Sequence, residues 1–423
     1  MTDSNDMGTA SPEASDRSPV RRSGFLDRLV MGVGIYYVTS LIVIVAATFA
    51  VDFVVLCRDH PSCMTRVDVP SALAAWDGEW YMRIATEGYS YDRDRISSVG
   101  FFPLYPGLGG LLVKCTGLRA ELALLVISHG ALAALFVLMI AYVRRRFSSA
   151  DEELAWWTLL AMGLFPTTFY FRMAYTESTF MLLMLLALYG IECKWRPLWI
   201  AALIGLATAS RSAGVAMIPV FALHLWTQYP DQRRSWLLRV SCYLPVCCSG
   251  VLLYMVYQWL VFGEPLAFVQ TQENWCERVL TLRERVVGLA TLEPIRAVYD
   301  PTSPCYWARV APRSNLLFNM KAANPVYVLA TVGLVAFGAR KRWLSANELV
   351  LAIGLLAIPI WFKAGQTCMM SQARYASVVF PVYLVLGQIL HRIKPPWAAM
   401  LMSLSAFLLV VYTALFVSWY RFF

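Results

Sequence analysis

Two carboxylates stand among indoles and a phenol in the run Trp76-Asp77-Gly78-Glu79-Trp80-Tyr81. The run continues through Ile84-Ala85-Thr86-Glu87-Gly88-Tyr89, and Phe101-Phe102-Pro103-Leu104-Tyr105-Pro106 follows. A carboxylate between indoles is partly stripped of water, a setting in which an aspartate can take a hydroxyl proton as a general base. Asp77 is therefore the first catalytic candidate. The bland alternative is a helix N-cap, since Asp followed by Gly-Glu-Trp reads as a first helical turn. Glu79, two residues on, points away from Asp77 on a helix. A sodium or proton site is the rival use of the same acids.

Glu177 sits in Tyr175-Thr176-Glu177-Ser178 between two apolar runs, where a carboxylate is costly unless used or paired. Helix-start electrostatics is its alternative explanation. Arg211 breaks a long apolar run, and Arg374 stands at a helix mouth in Ser371-Gln372-Ala373-Arg374-Tyr375. The planar fork of arginine suits a phosphate or diphosphate. Each arginine has a second reading, neutralising a carboxylate across a helical bundle. Gln272 and Trp275 offer a hydrogen bond and a stacking face to a sugar, or else anchor their loop to the membrane interface.

The elements that position these residues are membrane helices. Of 423 residues 59% are apolar and 15% charged, and mean hydropathy is +0.56. Uninterrupted apolar runs such as 30–56 and 398–419 exceed the roughly 20 residues a crossing needs. Such runs, rather than ten-residue alternation, favour helices over a barrel. The expected architecture is all-α and polytopic, with about nine crossings plus half-helices. The net charge of +9 resides largely in short basic clusters between apolar runs. Arg144-Arg145-Arg146 and Arg340-Lys341-Arg342 are examples, and they read as cytoplasmic loops rather than a nucleic-acid surface.

Residues 1–23 read as a disordered cytoplasmic tail and 24–423 as one membrane domain. Outer loops are expected at about 57–100 and 263–321. The first should carry short interfacial helices, with Trp76, Trp80, Tyr81, Tyr89 and Tyr91 in the headgroup zone. Crossings are expected at 154–171 and 375–390, with a brief outside turn at 172–177. The run 199–226 is long for one crossing and short for two, and reads as two half-helices meeting at Arg211. Four histidines and ten cysteines show no metal-ligand spacing. Several cysteines, including Cys305 and Cys368, fall in outer loops, where a disulfide such as Cys57 with Cys63 is one option.

Together these segments resemble the PIG-V family, the second mannosyltransferases of glycosylphosphatidylinositol assembly and their bacterial relatives, within the GT-C glycosyltransferases. The residues that carry the resemblance begin with the two aromatic runs above. They continue with Phe165-Pro166, Tyr175-Thr176-Glu177-Ser178, Ala209-Ser210-Arg211-Ser212-Ala213-Gly214, Phe268-Val269-Gln270-Thr271-Gln272-Glu273-Asn274-Trp275 and Arg374-Tyr375. The resemblance implies a GT-C-type bundle and an inverting sugar transfer on the non-cytoplasmic face. It implies a polyprenyl-phosphate donor, typically of mannose, and a lipid-linked glycan, cell-envelope glycan or protein as acceptor. It puts Asp77 at the acceptor hydroxyl. Glu79, Trp80, Tyr81, Glu177, Arg211, Gln272, Trp275, Arg374 and Tyr375 become substrate-binding candidates. No cofactor is required on this reading, and a metal is not obligatory for a monophosphate leaving group. Short loops point to a bacterial plasma membrane, or the endoplasmic reticulum for a eukaryotic chain. The rival class is a transporter or flippase of lipid-linked sugars that uses Asp77 and Glu177 as ion sites. An assembly factor, in which those acids are dispensable, comes third.

Overall fold

The computed structural model describes residues 24–53, 68–147, 152–228, 232–310 and 319–419. The expected tail and the Cys57 and Cys63 pair lie outside the described residues. All regular structure among the described residues is helical. In chain order the helices are α1 Phe25–Phe53, α2 Val69–Leu73, α3 Asp77–Glu87, α4 Leu104–Thr116, α5 Ala120–Arg146, α6 Glu152–Leu164, α7 Glu177–Glu192, α8 Pro197–Ser210, α9 Met217–Gln228 and α10 Arg233–Cys247. They continue as α11 Ser249–Phe262, α12 Ala267–Gln270, α13 Leu282–Ala290, α14 Glu293–Tyr299, α15 Trp307–Val310, α16 Met320–Arg340, α17 Ala346–Pro359, α18 Gln372–Ser377, α19 Pro381–Arg392 and α20 Pro395–Val417.

Five of the described helices are long and apolar enough to cross a membrane: α1, α5, α16, α17 with the turn that extends it, and α20. Two bent pairs raise the number to seven, α6 with the turn after it and α10 with α11. The two other expected crossings correspond to α7 and α19. At 16 and 12 residues and about 1.5 Å per residue, each is shorter than a straight span. The bundle is built inside out relative to a soluble protein. Val30, Trp199, Leu253 and Leu260 are exposed, while Arg172, Glu177, Glu348 and Arg374 are buried. Apolar side chains lose nothing by facing lipid, whereas buried charges must find partners within the bundle.

The helices break where the backbone demands it. Pro166 supplies no N–H and excludes Phe165 from helical geometry, so α6 stops at Leu164 and a 3-10 turn, Pro166–Arg172, leaves at 80°. The expected crossing at 154–171 is therefore bent. The expected outside turn at 172–177 is instead wholly buried. Arg172, 1% exposed, donates to Thr39 Oγ1 at 2.8 Å, Ser40 Oγ at 3.1 Å and the carbonyls of Gly163 and Thr168 at 3.1 and 3.2 Å. These bonds fix the turn against α1. The break at Arg211 is present: α8 ends at Ser210, Arg211 is extended, and a 3-10 turn leads into α9. Gly214 permits it, because a Cβ there would lie 2.6 Å from the backbone of Ala207 and Thr208.

The segment that carries α2 and α3 is a helical platform. Asp68 caps α2 by accepting from the Ser71 N–H at 3.2 Å. Trp76 then takes a left-handed φ of 62°, and α3 begins at Asp77. The helix α3 lies on α4 and α5. It comes close to α4 because Gly110 has no side chain: a Cβ there would be 2.8 Å from the Ala85 carbonyl oxygen. Of the aromatic side chains expected in the headgroup zone, four are half-buried against other aromatic rings. Trp76 packs on Trp419, Trp80 on Phe101, Tyr89 on Tyr254 and Tyr91 on Phe262. Tyr81 is 5% exposed.

Gly110→Val should push α3 off α4 at a cost of about 1–3 kcal/mol. Thermal unfolding of the purified variant in detergent measures this, and an unchanged midpoint would contradict the close approach.

Candidate active site

Four charged residues from four separate segments meet where α3, α7, α18 and the α8–α9 break converge. Asp77 and Glu177 are the first residues of α3 and α7. Arg211 sits at the break and Arg374 lies in α18. The Arg374 Nε donates to Glu177 Oε1 and its Nη1 to Asp77 Oδ2, so one guanidinium bridges both carboxylates. Arg211 Nη1 donates to the same Glu177 oxygen at 2.6 Å. Glu177 is fully buried and Arg374 6% exposed. Two carboxylates and two guanidiniums sum to zero formal charge, the condition under which such burial is tolerable.

The surroundings fix this bridge. The rings of Tyr175 and Tyr170 lie 4.3 and 5.4 Å from the Arg374 guanidinium, a cation–π contact strengthened by burial. Tyr175 Oη accepts from the Asp77 N–H at 3.1 Å and donates to the Ala75 carbonyl at 3.2 Å. That ties the start of α3 to the start of α7. Asn324 of α16 accepts from the Ala373 N–H at 2.9 Å, which seats α18. Asp77 is no N-cap. Trp76 holds that position without a capping bond, and the Asp77 carboxylate turns to Arg374. Its Oδ1 has no hydrogen-bond partner among the described residues.

Beside the bridge is a cavity of about 390 Å³. Trp76, Asp77, Glu79, Trp80, Gly100 and Phe101 form one side, Gln272 and Trp275 a second. Lys363, Thr367, Met370, Ser371, Arg374, Tyr375 and Trp419 complete it. Trp80 stacks on Phe101 with centroids 5.8 Å apart, and Trp275 meets both rings edge-on at 6.3 Å. Flat aromatic faces beside carboxylates and an amide suit a sugar ring, which presents C–H faces and hydroxyl edges.

Of the residues singled out from sequence, Asp77, Glu79, Trp80, Gln272, Trp275, Arg374 and Tyr375 line this cavity. Glu79 does so together with Asp77 rather than pointing away from it. Glu177 and Arg211 lie behind, reaching the cavity through Arg374. Tyr81 is a core residue instead, wedged edge-on against Phe101, Tyr105 and Tyr175, where burial raises its phenol above the ordinary value. Both arginines are paired with carboxylates, the second of the two roles open to them. Lys363, Thr367, Met370, Ser371 and Trp419 were not legible. They follow apolar runs and carry no local motif.

A disulfide, Cys305–Cys368, ties the loop after α14 to the segment that forms the cavity wall. Cys368 lies next to Thr367, and Cys368, Met369 and Ser371 all have left-handed φ angles. The segment after α11 is stitched to the one after α3. Thr271 Oγ1 accepts from the Ser97 N–H at 3.1 Å, and Asn274 donates to the carbonyls of Arg93 and Arg95 at 3.0 and 2.9 Å. Trp275 is thus carried to Trp80. No group of three His, Cys, Asp or Glu side chains converges among the described residues.

Residues 42–418 match the family described as Mannosyltransferase (PIG-V). The chain belongs to that family, within the GT-C glycosyltransferase superfamily. Among solved structures it is similar to the Archaeoglobus fulgidus oligosaccharyltransferase in its apo form, with 15% identity and a TM-score of 0.47 over 95% of this chain and 56% of that one. The archaeal enzyme in complex with an inhibitory peptide and a dolichol-phosphate gives 14% identity and a TM-score of 0.45, over 94% and 56%. The chain thus spans little more than half the length of those structures. No curated protein sequence matches.

Glu177→Gln should leave buried Arg374 and part-buried Arg211 one counter-charge short and destabilise the protein by about 3–5 kcal/mol. Thermal unfolding in detergent reads this, and a loss below about 1 kcal/mol would show that the bridge does not hold the fold.

Proposed function

We propose that this protein is a membrane glycosyltransferase that moves a sugar, mannose on the strength of its family, from a polyprenyl phosphate to a hydroxyl acceptor with inversion. The observation that carries the reading is the Asp77 carboxylate, held at the edge of an aromatic cavity by Arg374 with one oxygen unengaged among the described residues. The acceptor oxygen attacks the anomeric carbon as the bond from that carbon to the phosphate oxygen breaks. The phosphate departs with the electron pair, and the hydroxyl proton passes to Asp77 Oδ1.

The charge balance supports this role. A sugar-phosphate diester carries one negative charge and the departing monoester gains a second. The proton that neutralises Asp77 leaves the four-residue cluster with one net positive charge at the same moment. Arg374 stays in place because Glu177 still holds it. Such a preorganised compensating charge stabilises a transition state without reorganisation. The acceptor is a lipid glycan, an envelope glycan or a protein. The Cys305–Cys368 disulfide supports a site facing an oxidising, non-cytoplasmic compartment, in a bacterial plasma membrane or the endoplasmic reticulum. A carrier of lipid-linked sugars is less well supported, because the acids it would cycle, Asp77 and Glu177, are both paired to arginine.

Asp77→Asn should lower transfer from polyprenyl-phosphate mannose by at least about a hundredfold, while the unfolding midpoint moves less than in Glu177→Gln, because the Asp77 side chain is 29% exposed and Glu177 still pairs Arg374. Retained turnover in the purified variant would remove the proposed base. In sealed right-side-out vesicles, Cys305 and Cys368 should take up an impermeant maleimide only after reduction. Labelling without reduction, or only from the cytoplasmic side, would contradict the assigned face.

A further inference from the structure

Beyond the cavity, the segment that enters and forms α13 leaves apolar side chains uncovered. Val279 is 84% and Leu282 69% exposed, and Val286 and Val287 are exposed with them. Gly288 is the one buried residue of α13. Side chains advance by about 100° per residue on a helix. Val286, Ala290, Arg283 and Val287 therefore share one exposed face, with Leu282 at its edge and Gly288 opposite. A helix face turned to water carries polar residues instead.

The charges near this face are engaged, with one exception. Arg278 Nη1 and Nη2 donate to the two carboxylate oxygens of Glu293 at 2.9 and 2.8 Å. Glu284 closes a capping box with Thr281. Arg285 Nε donates to the Leu280 carbonyl at 3.3 Å. Arg283 is exposed, stands within the apolar face and makes no ion pair among the described residues.

We propose that α13 lies in the headgroup layer of the bilayer leaflet on the cavity side, with Val279, Leu282, Val286 and Val287 among acyl chains and Arg283 on the phosphates of anionic phospholipid. This seat goes beyond sugar transfer and does not depend on it.

The depth of α13 supports the assignment. The apolar stretch of α17 and its turn ends at Ala364. Trp361 and Phe362, just before that end, are exposed, as aromatic residues at a headgroup boundary are. The approach to α13 is fixed at the same level. The N–H groups of Glu277 and Arg278 donate to the Gln366 carbonyl at 3.0 and 3.2 Å, and Arg278 Nε donates to the Gly365 carbonyl. Leu280 packs so close to Gly365 that a Cβ there would lie 2.7 Å from its Cδ1. The apolar face of α13 thus continues the lipid-facing surface of α17. An arginine on such a face lays its stem along acyl chains and carries its guanidinium to the phosphates. A second copy of this chain fits the face less well, since a two-fold contact there sets Arg283 against its own counterpart.

The test uses the full-length protein in nanodiscs of phosphatidylcholine, with and without phosphatidylglycerol. With p-benzoylphenylalanine in place of Val286, irradiation should attach phospholipid. The same group in place of Leu253 of α11, which is 69% exposed, should do so as well. A protein adduct at position 286, or no adduct there while position 253 reacts, would overturn the bilayer seat. Amide hydrogen exchange across residues 286–290 should be about fivefold slower with phosphatidylglycerol present. Arg283→Gln should remove that difference and leave the unfolding midpoint unchanged. Equal exchange in the two lipid compositions, or a difference that survives in Arg283→Gln, would overturn the anionic partner.

Discussion

Arg374 is shared between two carboxylates that stand a hundred residues apart in the sequence and begin two different helices. In a low-dielectric bundle a buried member of this set is costly to leave alone, because an unpaired buried charge costs about 3–5 kcal/mol of a net stability of about 5–15 kcal/mol. That constraint forces α3, α7, α18 and the break at Arg211 to one point. The supporting contacts serve the same point. Tyr175 orders the backbone of Asp77 and its ring covers Arg374. Buried Arg172 locks the turn that delivers Tyr175.

The same constraint explains why short and broken helices cluster here. A continuous crossing presents no backbone ends and few places for a charge. Helix termini supply both, and they are permitted only where protein rather than lipid surrounds them. The break at Arg211 and, through Tyr170, the turn after Pro166 reach the charged cluster, and the turn after Pro359 carries Lys363 to the cavity wall. The disulfide and the stitching between the segments after α3 and α11 hold the wall that helices do not supply. The proposed chemistry follows from that arrangement: a neutral cluster that becomes positive as it takes a proton, next to aromatic faces that accept a sugar.

Much of this was legible in the sequence, for stated physical reasons. Long apolar runs between basic clusters announce membrane helices. Asp77, Glu177, Arg211 and Arg374 were conspicuous because a charge inside such a run demands an explanation. What local spacing cannot convey is who meets whom. Both arginines admitted a phosphate role or a carboxylate role, and only the three-dimensional structure shows the carboxylate pairings. Arg172 read as part of an outer turn because a proline-bent crossing and a loop look alike in one dimension. Tyr81 read as an interfacial aromatic because its burial depends on Phe101, Tyr105 and Tyr175, which come from distant segments.

The central claim is that the Asp77–Arg374 edge of the cavity is where a sugar leaves its lipid carrier. The most direct measurement is a structure of the purified protein with a non-hydrolysable polyprenyl-phosphate sugar analogue bound. The account predicts the sugar ring against Trp80 and Trp275, with Asp77 on the face of the anomeric carbon opposite the phosphate. A sugar bound elsewhere, or a phosphate on the same side as Asp77, would contradict it.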